Sequence, residues 1–181
     1  DAGNVATNSA VYSAIAWLQR RTSEPRMQVM RPGRGKAEQS LVEVSGHPLP
    51  TLFEEGADFD GTILLSAIMI DLICTGNAYL GVQTQGLGRG LGGFVPLPAK
   101  CVEPRGDRYV DPANPRMITY YRYSDGNGRG FDIGPDEVVH VRVGYNPDNP
   151  MLGVSPVHAS LREIVTDNEA ATLNAALLQN G

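Results

Sequence analysis

Residues 61–82 read GTILLSAIMIDLICTGNAYLGV. Between Ile63 and Cys74 only Ser66 and Asp71 are polar. A helix that is apolar nearly all round is one that other elements cover. A membrane span needs about 20 consecutive apolar residues, and this run is too short for one. Gly76 supplies the left-handed residue that ends a helix. Directly after it, Ala78, Leu80 and Val82 alternate with more polar positions, as in a strand. The segment therefore predicts a buried helix turning without a linker into a strand, the centre of a mixed helix-and-sheet domain.

Elements on either side follow from the same rules. Thr7 or Asn8 can cap a first helix whose Val11, Ile15 and Leu18 share one face, and Pro25 ends it. RMQVM (26–30) and SLVEV (40–44) read as two strands of a hairpin with a long loop. GHPLPTLFEEG (46–56) reads as a turn and a short helix through Glu55. In FVPLPAKCVEP (94–104), Pro96 and Pro98 exclude a helix and leave room for a short edge strand. MITYYRY (117–123), FDI (131–133) and EVVHVRV (137–143) read as strands, the first two joined by the turn SDGNGRG. GYNPDNPMLG (144–153) is a loop without regular structure. Ser155 and Pro156 read as the cap and first position of a long last helix. Its stripe runs through Val157, Leu161, Ile164, Asn168, Ala171, Ala175 and Leu178. The fold class is α+β: a mixed, mostly antiparallel sheet, a buried central helix and a long C-terminal helix, in a single domain over 1–181.

Composition narrows the function classes. The net charge of −5 disfavours a surface that holds nucleic acid by neutralising phosphates. The charge is uneven. Residues 20–36 carry six basic side chains against Glu24 alone, whereas residues 37–75 carry seven acids and no Lys or Arg. The basic run reads as a solvated loop, or else as a contact for an acidic neighbouring subunit. Cys74 and Cys101 lack metal-binding spacing and read as free buried thiols of a reducing compartment, with a single disulfide as the alternative. The N-terminal residues have neither the basic flank nor the apolar block of a signal peptide.

The one sequence that looks like a cofactor site is GLGRGLGGF (86–94), which contains G-x-G-x-x-G. A pyrophosphate site needs a helix N-terminus directly after the glycines, and FVPLP cannot be that helix. Gly86–Gly93 therefore reads as a flexible hairpin loop. A nucleotide-binding enzyme fragment using it, and an adaptor or scaffold domain outside any phage context, stand as alternatives. Val157 stands where a nucleophile elbow around Ser155 would need glycine. His47, His140 and His158 share no local motif and read as structural. The window from Asp125 to Asp136 lacks both the ligands and the flanking helices of a calcium loop. No catalytic residue, cofactor or metal is expected.

Five segments in order carry a resemblance: HPLPTLFEEG (47–56), LLSAIMIDLICTGNAYLGV (64–82), FVPLPAKCVEP (94–104), GPDEVVHVRV (134–143) and MLGVSPVHAS (151–160). Their succession resembles the portal protein family of tailed bacteriophages and related prophages, from about Asn8 to the end. The resemblance implies a structural, non-enzymatic subunit of a ring, usually of twelve copies, at one vertex of the capsid. Double-stranded DNA enters and leaves through such a ring without sequence-specific binding. Terminase, capsid and head–tail connector proteins are the implied partners, with no membrane. The implied location is the virion, with the host cytoplasm during assembly. The matching residues are Thr75, Gly76, Asn77, Ala78 and Tyr79, and Gly153, Val154, Ser155 and Pro156; in physical terms they define the fold. By resemblance the chain is the wing region of a subunit, without its stem and clip.

Overall fold

The computed structural model describes residues 9–33, 41–54, 59–84, 91–106, 117–157 and 161–180. The elements are α1 (Ser9–Ser23), β1 (Met30–Pro32), β2 (Leu41–Glu43), α2 (Pro48–Glu54), α3 (Gly61–Thr75), β3 (Asn77–Thr84), β4 (Leu91–Leu97), a 3₁₀ turn (Ala99–Cys101), β5 (Val102–Arg105), β6 (Tyr120–Ser124), β7 (Gly130–Ile133), β8 (Val138–Arg142) and α4 (Leu161–Asn180). All strand pairs are antiparallel, in a hairpin β1-β2 and two three-stranded sheets, β4-β3-β8 and β5-β6-β7. The architecture is α+β.

The helix α3 starts where the Asp60 carboxylate accepts the N–H of Ile63 at 2.9 Å. It stops at Gly76, whose φ of 77° is left-handed and whose N–H returns to the Leu72 carbonyl. From Leu64 to Thr75 every residue is at least partly buried. The α1 helix, β3 and β4 all pack against it.

Strand β3 is the centre of the chain. Asn77, Ala78, Tyr79 and Leu80 are all buried, so both of its faces are covered. Leu80 faces a core of Phe53, Leu64 and Phe94, supported by Leu49, Ile68 and Val82. Tyr79 faces a second core with Val102, Tyr121 and Val138 beneath the other sheet. Burying side chains such as Leu64 and Phe94 contributes about 2 kcal/mol each.

Several boundaries differ from the sequence reading. The first hairpin strand lies at 30–32 rather than 26–30, and its Pro32 is tolerated because β1 has only one partner. β4 is an edge strand but is seven residues long; Pro96 sits within it, opposite Leu80. The chain after the glycine-rich stretch is thus a strand. Leu91, Gly92 and Gly93, read as part of a flexible loop, belong instead to β4, where Leu91 and Gly93 pair with the end of β3; residues 86–90 of that stretch lie outside the described residues, as do the predicted capping residues Thr7 and Asn8. Val102–Arg105 forms a strand of its own beside β6. The last helix is described from Leu161 instead of Pro156, and Ser155 to Val157 lie before it. Ala175 and Leu178, part of its predicted stripe, are exposed. Both cysteines are free, and both are half-buried rather than fully buried.

Candidate functional site

The two short segments singled out in the sequence, 75–79 and 153–156, meet in space. The junction begins with the end of α3. The Thr75 hydroxyl donates to the Asp71 carbonyl at 2.8 Å and accepts the Asn77 N–H at 3.0 Å. It thereby fastens the last helical turn to the first strand residue. Gly76 lies between them in the left-handed conformation, and its carbonyl accepts the Val143 N–H at 2.9 Å.

Asn77 is the hub. It is 6% exposed. Its Nδ2 donates to the Thr75 carbonyl at 2.9 Å, and its Oδ1 accepts the Gly153 N–H at 2.7 Å across 76 positions of sequence. The same oxygen lies 3.2 Å from His140 Nε2. An amide oxygen only accepts, so Nε2 carries the proton. Nδ1 is then left to accept from the Tyr121 hydroxyl at 3.4 Å. The His140 ring stacks on Tyr79 at 4.3 Å, and Tyr121 meets Tyr79 edge-on at 5.8 Å.

The second segment closes over this hub. The Val154 N–H donates to the Val143 carbonyl at 2.7 Å. The Ser155 hydroxyl donates to the Ile73 carbonyl at 2.7 Å, satisfying a helix-end acceptor, and accepts the Val157 N–H at 3.2 Å. Ser155 therefore ties the chain back to α3, a use that capping a following helix does not require. The approach is close enough to demand two glycines. A Cβ on Gly76 would lie 2.6 Å from the Ser155 nitrogen, and one on Gly153 would lie 2.6 Å from the Val143 carbonyl oxygen.

Burial sets the electrostatics of the junction. Burial, with Arg142 nearby, lowers the His140 pKa from 6.5 to about 4, so the ring is neutral near pH 7. Burial raises the Tyr79 and Tyr121 hydroxyls. Burial also raises Asp71, whose carboxylate accepts the Ala99 N–H at 3.0 Å. Burial and then Asp71 raise the Cys74 thiol, which weakens it as a nucleophile. Both His140 nitrogens and the Ser155 hydroxyl are engaged, so no base–nucleophile pair is assembled here. Among the described residues no cluster of His, Cys, Asp and Glu could hold a metal, and no helix is long and apolar enough to cross a membrane. An open cleft of about 700 Å³ lies beside Ile118, Asp136, Arg142, Tyr145 and Leu152. Arg142 there donates to the Pro150 carbonyl at 2.7 Å.

What this scaffold belongs to is decided by comparison with known proteins. The family model described as phage portal protein matches residues 9–181. The chain belongs to the phage portal protein family. That family is a structural one. Among solved structures, a chain of the neck of an empty gene transfer agent particle, computed with C6 symmetry, is 20% identical with a TM-score of 0.73; the match covers 99% of this chain and 45% of that one. A chain from the neck of the native particle, computed with C12 symmetry, is 18% identical with a TM-score of 0.70, covering 98% and 43%. The portal fold is thus shared over nearly all of this chain, which spans just under half the length of those it matches. No match was found among curated proteins.

Spacing alone could not reveal two features of this portal-family junction. Asn77 was readable as a strand start, but its bond to Gly153 spans two segments far apart in sequence. His140 carried no local signal beyond its place on a strand. The glycine-rich stretch, by contrast, is followed by β4, so it lacks the helix that a pyrophosphate site requires.

Proposed function

We propose that this chain is the wing region of a structural subunit in a portal ring, through which double-stranded DNA enters and leaves a capsid. The observation that carries this reading is the portal family match over residues 9–181. The likeness to particle-neck chains, one set computed with C12 symmetry, supports a ring of about twelve copies. The subunit works at the portal vertex of the virion and is assembled in the host cytoplasm. Terminase and head–tail connector proteins contact parts of the ring beyond this region, and capsid protein is a further partner of the ring.

The chemistry of the chain fits a passive role. Its polar cluster is consumed in holding α3, β3, β8 and the 153–156 segment together, and it performs no catalysis of its own. A net charge of −5 suits a conduit along which DNA slides. The 153–156 and 75–79 residues define the fold and leave ligand binding to other surfaces.

Light scattering and sedimentation of the full-length protein test this reading. A ring-sized species is expected; a monomer that persists at high concentration and with capsid protein present would refute it. Calorimetry with NAD and ATP tests the enzyme alternative. No heat is expected at millimolar ligand, and saturable binding would revive the glycine-rich stretch as a site.

A further inference from the structure

We infer that the tip of the β6–β7 hairpin is a self-modifying site: the Gly128 backbone nitrogen attacks the Asn127 side-chain amide, ammonia leaves, and an acidic residue remains. The tip reads SDGNGRG (124–130), and residues 126–130 are all exposed. Asp125 Oδ1 accepts the Asn127 N–H at 2.8 Å and the Arg129 N–H at 3.2 Å, and the Asp125 N–H donates to the Arg129 carbonyl at 3.1 Å. These bonds hold the turn by its flanks. The Gly128 N–H lies between the two tethered N–H groups and has no partner among the described residues, and neither has the Asn127 side chain. Nucleophile and electrophile are therefore adjacent, exposed and unengaged. Gly128 has a φ of 85° and open space where a Cβ would stand, so no side chain shields its nitrogen from the amide carbon.

The step balances with water as the only co-reactant. The Gly128 nitrogen gives its proton to hydroxide and bonds to Asn127 Cγ. The bond from Cγ to Nδ2 breaks, and the amino group leaves as ammonia with a proton taken from water. A succinimide ring remains. Water opens it at either carbonyl. Attack at Cγ gives aspartate in a normal backbone. Attack at the backbone carbonyl gives isoaspartate, whose main chain runs through the side-chain carbons. The net exchange is a water molecule in and an ammonia molecule out, with no change of oxidation state.

Elsewhere among the described residues this arrangement does not recur. Asn77 is buried, and both ends of its amide are bonded. Asn146 and Asn149 precede Pro147 and Pro150, which have no N–H to lose. Asn168 and Asn174 lie in α4, where the following N–H is held in the helix ladder. Asn180-Gly181 is the other Asn-Gly pair of the sequence, and Gly181 lies outside the described residues. At the hairpin tip the product sets a new carboxylate beside that of Asp125. Isoaspartate also lengthens the main chain between the two N–H groups that Asp125 holds, so the adjoining Ser124–Gly130 pair of β6 and β7 loosens. On the portal reading above, a subunit built into a particle is not replaced, so converted copies accumulate with its age.

Mass spectrometry of the full-length protein, aged at neutral and at mildly alkaline pH, tests this. Trypsin cleavage after Arg122 and Arg129 releases Tyr123–Arg129, in which Asn127 is the only amide side chain. A heavier form of this peptide, with a hydroxyl in place of the amino group, is expected to accumulate in proportion to hydroxide concentration. An isoaspartate methyltransferase is expected to label part of it. Isomerisation at Asp125-Gly126 adds no mass, so the mass gain assigns the change to Asn127. Asn127→Gln is expected to abolish the gain. Val143–Arg162, with both its asparagines before prolines, is expected to stay unchanged over the same period. The folded rate is expected to lie within about tenfold of that of the synthetic peptide Tyr123–Arg129, because no bond has to break before the attack. A slower folded rate, or an equal gain in Val143–Arg162, would overturn the inference and leave the portal reading standing. Hydrogen exchange across 123–133 is expected to be faster in the aged form; unchanged exchange would overturn the loosening of the hairpin.

Discussion

Replacing Asn77 by Ala removes the hub of the junction at one stroke. The Gly153 N–H loses its acceptor at 2.7 Å, and Gly153 is buried, so no solvent replaces it. A buried donor left unsatisfied costs about 1–3 kcal/mol. The Thr75 carbonyl loses its Nδ2 donor, and His140 Nε2–H loses the oxygen at 3.2 Å. Each such bond contributes about 1 kcal/mol net, and the effects overlap because the groups form one network. A total destabilisation of about 3 kcal/mol is expected. For a chain of this size that lowers Tm by about 6–12 °C. Urea unfolding followed by circular dichroism measures it, with a lower midpoint at an unchanged slope. Asn77→Asp keeps an acceptor for Gly153 but loses the Nδ2 donor and buries a charge, so it too destabilises. In a double-mutant cycle, Asn77→Ala and His140→Ala should couple by at least about 0.5 kcal/mol. A loss below about 0.5 kcal/mol for Asn77→Ala, with additive behaviour toward His140, would refute the hub.

Other consequences follow from the same junction. Gly76→Ala strains a φ of 77° and drives a Cβ into the Val154–Ser155 backbone, so it should cost more than about 3 kcal/mol. Gly126→Ala, with φ 76° and open space around it, should cost only about 1–2 kcal/mol in the same unfolding assay. Ser155→Ala removes the bond to the Ile73 carbonyl and should cost about 1–2 kcal/mol by urea unfolding. His140 has a folded pKa of about 4, below its ordinary 6.5, so the unfolded chain binds the proton first. Its contribution is complete above about pH 6.5 and is lost as pH falls toward 4. At about 1.4 kcal/mol per unit the full effect is about 3 kcal/mol, and solvent screening of a partly exposed ring reduces it to about 1–2 kcal/mol. Unfolding at pH 4.5 and pH 7 should show this difference, and His140→Gln should flatten it.

Local signals carried the element types a long way. The apolar run 63–74, Gly76 and the alternation after it were enough to place α3 and β3, because helix stop and strand start are encoded within a few residues. The signals failed where the deciding partner is distant. Ser155-Pro156 has the local form of a helix cap, and the Ser155 hydroxyl accepts the Val157 N–H as a cap does; what no local signal showed is its second bond, to the Ile73 carbonyl, which only tertiary packing brings near. Pro96 argued for a short strand, but an edge position with β3 on one side lets β4 reach seven residues. Val102–Arg105 was not separated from the segment 94–104 in the sequence; its pairing with β6, which buries Val102 and Pro104, is what makes it a strand of its own. The apolar pattern of α4 was visible in the sequence, yet Leu173, Leu177 and Leu178 are exposed.

The central claim is that this fold is repeated around a channel. Electron microscopy of the full-length protein tests it most directly. The account predicts closed rings of about twelve copies with an open central channel, each copy containing the α3–β3 junction seen here. Particles that remain monomers, or close into two-fold dimers without a channel, would contradict it.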